Sequence, residues 1–329
     1  MRWNDRIGRR IKLSDLHILL AVAQSGSMAK AASALAVSHP VVSRSISDLE
    51  RILGVRLLER NPRGIELTEY GRAMLSRSNA AFDELRQGVK DIEHLADPTA
   101  GEVRISTTPP LAASFVSAVI DRLCRQYPRI VVHVSDREEH QRNLYERRVD
   151  LLIRRKFRET DDSVNFEPLF ESPYVVAAGA NNPLARRRHI ALAELADHPW
   201  ALPSPDNPFG AFVMEAFLAS GIHTLRTSVV ATALEMRANI LKTGRYLTVL
   251  PEFWLQLPER HPFIRQLPVD LAQSSTPIGI VTLRKRTPNP AVLRFIDCAR
   301  EVAESLTRSN GRLIAGATAR RASAPRPRR

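Results

Sequence analysis

Residues 14–68, SDLHILLAVAQSGSMAKAASALAVSHPVVSRSISDLERILGVRLLERNPRGIELT, hold the pattern that decides the fold. Leu16, Leu19, Leu20 and Ala23 recur at helical spacing, and Ser14 is placed to cap that first helix. The run Ser25-Gly26-Ser27 stops it. Ser27 then caps a short alanine-rich helix, Met28 to Leu35, whose small side chains let a neighbouring helix approach closely. After a turn at Ala36-Val37, Ser38 caps a third helix that runs to about Leu53 and ends at Gly54. Pro40 falls in its first turn, where a missing N–H costs little.

The third helix has two unlike faces. Val42, Ile46, Leu49 and Leu53 make an apolar stripe, whereas His39, Pro40, Ser43, Arg44 and Ser47 lie away from it. A short helix, a tight turn and a helix with a small-polar, basic outer face fit a helix-turn-helix, whose second helix offers its N-terminal residues to base edges in the major groove. Val55 to Glu59 and Ile65 to Leu67 read as strands around Asn61-Pro62-Arg63-Gly64, a strong turn signal. That hairpin carries Arg60 and Arg63 at its tip, as a wing against phosphate or a minor groove requires. Up to Leu53 the alternative is plain core packing of two small helices; the basic hairpin in this order is what makes the pattern specific.

The stretch resembles the N-terminal signature of the LysR-type transcriptional regulators. The matching residues are the Leu16–Gln24 helix, Ser25-Gly26-Ser27, Ala31-Ala32, Leu35, Ser38, Pro40, Val42-Ser43-Arg44, Ile46, Leu49-Glu50, Gly54, Leu57, Arg60, Leu67-Thr68 and Gly71. Two positions depart from it. His39 stands where the family usually has Gln at a position that commonly faces DNA, which implies different preferred bases, and Leu58 replaces the usual Phe conservatively. The resemblance implies DNA contacts from Ser27, Ser38, His39, Pro40, Ser43 and Arg44, with Arg60 and Arg63 on the backbone.

Thr68 caps a long helix in which Tyr70, Met74, Ala81, Leu85, Val89, Ile92 and Leu95 keep helical spacing until Asp97-Pro98 stops the run. One long helix with one apolar stripe cannot bury itself, so a second copy is expected against it. In the resembled family this linker helix is the dimerisation element, and two-fold symmetry would present two recognition helices to a pseudo-palindromic site.

From Gly101 strands and helices alternate. Strands are expected at Val103–Ser106, Ile130–Val134 and Asp150–Ile153, with helices at Ala112–Gln126 and Arg137–Arg148 between them, an order that implies a parallel sheet. Further strands are expected at Phe166–Leu169, Tyr174–Ala178, Trp200–Pro203, Ser228–Ala231, Leu247–Leu250, Ile264–Leu267 and Ile278–Leu283. Helices are expected at Gly210–Ala219, Ala233–Lys242 and Pro290–Ser305. The chain would cross from one lobe to a second near Ala178 and return near Leu283. That is similar to the family's effector-binding domain, a two-lobed fold like that of periplasmic binding proteins with a ligand cleft between the lobes. The expected organisation is therefore multidomain. A largely α-helical winged helix-turn-helix domain occupies 1–67 and a linker helix 68–97. An α/β effector domain follows at 98–307, with lobe I at about 101–178 and 283–306 and lobe II at about 179–282. A basic disordered tail, 308–329, ends the chain.

In open α/β sheets ligands bind beyond the carboxyl ends of strands, near helix N-termini. Thr107-Thr108, Ser204 and Thr232 stand at such places, and a hydroxyl-lined cleft there suits a small anion such as a carboxylate. Ordinary helix capping is the alternative for each, and Thr232-Ala233-Leu234-Glu235 has capping-box form. Tyr246, Phe209 and Phe212 offer an apolar wall or core packing.

Composition narrows the function further. The net charge is +13, but residues 308–329 alone hold seven Arg and no acid, so the overall balance says little about the DNA site. The clustering of Arg44, Arg51, Arg56, Arg60 and Arg63 says more. The tail is either solvated or adds sequence-independent attraction to DNA. Cys124 and Cys298 read as small hydrophobes, with a redox pair as the alternative, and neither has metal-ligand spacing. No apolar run approaches the roughly 20 residues that span a bilayer, and MRWNDRIGRRIKL lacks the apolar core of a secretory signal, so the expected location is the cytoplasm. A solute-binding protein would need such a signal and has no use for a winged helix. An enzyme would need a catalytic constellation, and the sequence has no triad spacing, Gly-rich phosphate loop or metal cluster. The expected partners are double-stranded DNA, a small-molecule effector, a second copy or three, and RNA polymerase, with no cofactor, metal or membrane.

Overall fold

The structure, a computed structural model, describes residues 10–61, 64–135, 140–157, 161–255 and 261–322, with the backbone course alone given for Arg60 and for 308–322. It divides into two compact units, Met1–Glu93 and His94–Arg329.

In the first unit α1 (Leu13–Ser25), α2 (Met28–Ala34) and α3 (His39–Leu53) close on one core in which Leu19, Val22, Ala31, Val42 and Leu49 are wholly buried. Each such Val or Leu contributes roughly 1.5–3 kcal/mol by leaving water. The α3 stripe points inward through Val42, Ile46 and Leu49, with Leu53 half-buried at its end. Gly54 stops α3 in the left-handed region at φ +75°. The hairpin β1 (Leu58–Asn61) and β2 (Gly64–Leu67) starts later than the sequence pattern suggested, because Val55 to Leu57 are spent returning from α3. Its tip residues Pro62 and Arg63 lie outside the described residues. Glu50 fixes that return, accepting the Leu57 and Leu58 amides on one carboxylate oxygen at 2.7 and 3.2 Å.

The caps differ in detail from expectation. Lys12, not Ser14, precedes α1, and the first-turn Asp15 accepts the Lys12 amide at 3.4 Å while also taking the Ser45 hydroxyl of α3 at 2.8 Å. Ser27 and Ser38 hold the N-cap positions of α2 and α3 without a side-chain cap bond. Thr68 does cap α4 (Glu69–Ala96), accepting the Gly71 amide at 3.0 Å. Gly71 is required there, since a Cβ would overlap the Leu57 carbonyl. The apolar stripe of α4 splits in two. Met74 and Phe82 pack on the core, whereas Leu85, Val89, Ile92 (68% exposed) and Leu95 (81% exposed) face outward in the single chain.

Among the described residues the second unit is built on a nine-stranded mixed sheet. Its elements are β3 (Ala100–Thr107), α5 (Pro109–Leu111), a turn of π-helix at Ala112–Val116, α6 (Ser117–Gln126), β4 (Arg129–Ser135), α7 (His140–Tyr145) and β5 (Leu151–Arg155). Then come β6 (Val164–Gly179), β7 (Trp200–Leu202), α8 (Pro208–Ala219), β8 (Thr227–Val230), α9 (Leu234–Ile240), β9 (Leu247–Pro251), α10 (Glu252–Leu255), β10 (Ile264–Gln266), β11 (Ser275–Leu283) and α11 (Pro290–Ala322). The strand order is β4-β3-β5-β11-β6-β9-β7-β8, with β10 beside β6. The expected parallel pairing holds for β3 with β4 and β5 and for β7 with β8 and β9, while β6, β10 and β11 pair antiparallel.

Two strands expected near residues 166–178 are one. β6 runs through Pro173 because it changes partner there: Val164 to Pro173 pair with β11, and Tyr174 to Ala178 pair with β9. The residue without an N–H thus stands where one ladder gives way to the next. The crossing therefore comes earlier than Ala178, and β11 returns from Ser275, earlier than Leu283. Two hydrophobic cores flank it, one around Val103, Phe115, Ile153 and Phe295, the other around Tyr174, Trp200, Phe217 and Val249. The 308–329 stretch, expected to be irregular, continues α11 to Ala322, and 323–329 lie outside the described residues. Ala and Arg predominate over 312–322 and no Pro falls between Pro290 and Pro325, so the helix can propagate.

Candidate nucleic-acid interface and effector site

The start of α3 presents a continuous outward face. Ser38, His39, Pro40, Arg44 and Ser47 are exposed, Ser43 is half-buried beside the core stripe, and Ser27 is half-buried at the start of α2. The Arg44 side chain is 87% exposed, and its Nε lies 4.0 Å from Asp48, whose carboxylate is already engaged by Arg51 at 2.9 Å. The Arg51 hydrogen bond holds the Asp48 carboxyl below its usual range, so it stays an anion. Arg44 is thus an extended guanidinium with donors directed at solvent, the form that pairs with guanine edges or phosphate. Val37 and Val41 add exposed methyl groups to this face. The sequence pattern did not single them out, although apolar residues before and inside the first turn, off the core stripe, were the available signal. Of the wing residues, Arg60 is placed on β1 by register with Ile65, and Arg63 lies outside the described residues.

The four hydroxyls proposed for the effector stand at strand ends but are differently occupied. Thr107 ends β3, is buried, and donates to the Ile153 carbonyl at 2.8 Å, pinning β3 to β5. Thr108 is half-buried at the N-cap of α5 and makes no side-chain cap bond. Ser204 closes a local turn, donating to Asp206 at 3.0 Å, and Asn207 rather than Ser204 caps α8. Thr232 is exposed one residue before the N-cap, which is Ala233, so the capping box does not form. The first pair belongs to one core and the second pair to the other.

What the sequence pattern missed is a pair of buried arginines where β6 changes partner. Arg155 ends β5 and is 6% exposed. Its Nη1 donates to the Ser172 carbonyl and to Thr276, with Oγ1 at 3.1 Å. Arg237, in α9, is 1% exposed and donates from Nη1 to Thr248 Oγ1 at 3.2 Å and to the Val249 carbonyl at 2.9 Å. Between them stand two rings. The Arg155 guanidinium lies 4.3 Å from the Tyr174 centroid, Tyr174 lies 4.6 Å from Phe209, and the Arg237 guanidinium lies 5.3 Å from Phe209. Phe157 and Phe212 complete the ring cluster. Burial lowers the pKa of both arginines, Arg237 to about 10, and raises the Tyr174 phenol to about 12, so the phenol is neutral at physiological pH. Arg residues in a strand and a helix give no periodic signal of burial, which is why they escaped notice.

No helix among the described residues is long and apolar enough to cross a membrane, and no cluster of three or more His, Cys, Asp or Glu among them is placed to hold a metal. Cys298 is buried with its thiol pKa raised by that burial, and Cys124 is exposed.

Residues 13–72 match the bacterial regulatory helix-turn-helix protein family of the lysR type, and residues 96–304 match the LysR substrate binding domain. The regulator PcaQ of Agrobacterium fabrum is 25% identical over 304 residues, covering 91% of this chain and 97% of its own length. The SDS degradation transcriptional activation protein of a Pseudomonas species is 34% identical over 199 residues, covering 57% of this chain and 63% of its own. Among solved structures, full-length OxyR from Pseudomonas aeruginosa superposes with a TM-score of 0.67 at 21% identity, covering 88% of this chain and 94% of that one. CbnR, a LysR family regulator, superposes at 0.62 with 21% identity and coverage of 89% and 99%, and a second CbnR structure, solved with its target DNA, at 0.54. The substrate-binding match alone spans more than half of the 329 residues. The chain belongs to the LysR family of DNA-binding transcriptional regulators, proteins that carry an effector-binding domain and are not enzymes.

Proposed function

We propose that this regulator reads a pseudo-palindromic operator in the cytoplasm with His39, Pro40, Ser43 and Arg44 of α3, with Ser27 and Ser38 also at the DNA, while Arg60 and Arg63 hold the backbone. The observation that carries the reading is the outward face of α3, polar and basic at its N-terminus and backed by a buried apolar stripe. Dimerisation through the outward stripe of α4 supplies the two-fold axis, and two dimers make a tetramer. The support is Leu85, Val89, Ile92 and Leu95, apolar and exposed at helical spacing.

The effector is a small anion, such as a carboxylate, taken in a cleft between the two α/β cores, where Thr107, Thr108, Ser204 and Thr232 stand at the C-terminal ends of parallel strands. Its binding shifts the relative placement of the DNA-reading heads and thereby their contact with RNA polymerase.

The test is selection of duplexes from a random pool by the purified protein near physiological salt, followed by sequencing. An interrupted palindrome is the expected result. Salt-sensitive binding without any enriched sequence would remove α3 as the reader.

A further inference from the structure

We infer that the pocket between α10 and β10 is a second ligand site, separate from the proposed effector cleft, and that it takes a free α-amino acid with an apolar side chain. Glu252 holds the ammonium group, Arg265 the carboxylate, and Leu255 with Ile264 the side chain. The pocket encloses about 220 Å³ and is lined, among the described residues, by Glu252, Leu255, His261, Ile264, Arg265 and Gln266. That is below the roughly 300–1,000 Å³ of pockets that enclose drug-sized ligands, so its occupant is small. Thr107, Thr108, Ser204 and Thr232 are not among these residues, so the site is not the proposed cleft.

Two opposite charges face this space without meeting. Glu252 is half-buried at the start of α10, with neither a hydrogen bond nor an ion pair among the described residues. Burial raises its carboxyl pKa, and no cation counters the rise. Arg265 lines the same pocket but does not pair with it. Its guanidinium donates from Nη1 to the Pro262 and Ile264 carbonyls at 2.9 and 2.8 Å, while Nε and Nη2 take no partner among the described residues. A carboxylate and a guanidinium held apart across one small pocket match a ligand that carries both charges. A simple anion would be repelled by Glu252, and a simple cation by Arg265. A zwitterion satisfies both, since its ammonium restores the partner that Glu252 lacks and its carboxylate takes the remaining N–H donors of Arg265.

The rest of the lining suits an apolar side chain. Ile264 is buried and Leu255 half-buried, and the His261 ring stacks on buried Trp254 with centroids 3.6 Å apart, which gives the pocket a fixed wall. The site also touches the place where β6 changes partner. Phe253, next to Glu252, donates its amide to Ser172 Oγ at 3.4 Å and sets its ring 5.4 Å from the Arg155 guanidinium. Strand β6 lies between β9, which leads into α10, and β10. An amino acid bridging Glu252 and Arg265 therefore links the two neighbours of β6 across it.

Thermal unfolding of the full-length protein at pH 7.5 tests this. The probes are leucine, N-acetyl-leucine, which lacks the ammonium, and leucinamide, which lacks the carboxylate. Leucine at ten times its half-saturating concentration should raise the midpoint by about 3–6 °C, with no response to the other two. Glu252→Gln should abolish that rise without lowering the midpoint of the free protein, because the carboxylate has no partner to lose. Arg265→Gln should show the same loss and keeps the test intact should the first variant not fold. An equal response to N-acetyl-leucine or to leucinamide would make the site one for a simple anion or a simple cation and overturn the assignment. So would a leucine response preserved in both variants, or no response of the wild type to leucine, isoleucine, valine or methionine. The proposed effector cleft uses none of these residues and stands or falls separately.

Discussion

Arg44→Ala separates base reading from simple attraction to DNA. The side chain is 87% exposed, and its one ion pair, to Asp48 at 4.0 Å, is at the limit of contact. Asp48 keeps Arg51 at 2.9 Å, so no carboxylate is left without its cation. Exposed pairs of this kind contribute little to folding, and the thermal midpoint should not move. All of the functional loss then belongs to DNA. An Arg that holds a base edge through two N–H groups is worth about 1–3 kcal/mol of discrimination, a factor of roughly 5 to 150 in affinity at each half-site. Fluorescence anisotropy against a selected operator and against a scrambled duplex of equal length, at several salt concentrations, reads this directly. The operator should weaken by that factor and the scrambled duplex hardly at all, with the salt slope unchanged. Equal weakening of both, with a slope lower by about one, would make Arg44 a phosphate clamp and refute its role as reader.

Gly71→Ala should cost more than about 2 kcal/mol in urea unfolding, because the new methyl overlaps the Leu57 carbonyl where the wing meets α4; an unchanged midpoint would show that this approach is slack. Ile92→Ser, at an exposed position in the single chain, should leave helix content intact while weakening the dimer by about 3–6 kcal/mol over its two copies, seen by sedimentation velocity. A dimer that withstands it pairs through another face. Alkaline unfolding carries a third signature. The Tyr174 phenol, raised to about 12, is protonated in the folded state after it ionises in the unfolded chain, so stability falls as pH rises above 10. Arg237, lowered to about 10, loses its proton first in the folded state, so stability rises over the same window. The two oppose each other in the native protein, and Arg237→Met should uncover the fall of the tyrosine alone between pH 10 and 12. A variant curve parallel to the wild type would refute the pairing.

The N-terminal unit was almost wholly legible because its signals are local. A stripe at 42, 46 and 49, a glycine at 54 and a threonine at 68 each fix a nearby backbone, and the residues of the outward face of α3 follow by exclusion from the stripe. The detail that slipped, Asp15 standing in for Ser14, depends on a bond to Ser45 thirty positions away. In the α/β unit the strands were found but their continuity was not, because Pro173 looks like a break until the change of partner is known. The hydroxyls expected to face an effector follow from their position along the chain alone. Thr107 is already committed to Ile153, and Arg155 and Arg237 are buried against residues distant in sequence, Tyr174 and Thr276 for the one and Phe209 and Thr248 for the other, which no pattern along a single chain reveals.

The long strand β6 also sets an order of assembly. Its first ten residues pair with a segment, Ser275–Leu283, made about a hundred residues later, whereas everything from Tyr174 to Ser274 is contiguous and can close by itself. On the ribosome the inserted half can therefore mature while the half begun before it still presents the uncovered edge of β5 and the bare faces of Ile153 and Phe170, waiting for β11 and α11. Nascent chains stalled between Ser274 and Pro290 would be the species most in need of a chaperone, and a premature stop there would yield a protein with one finished half and one adhesive one.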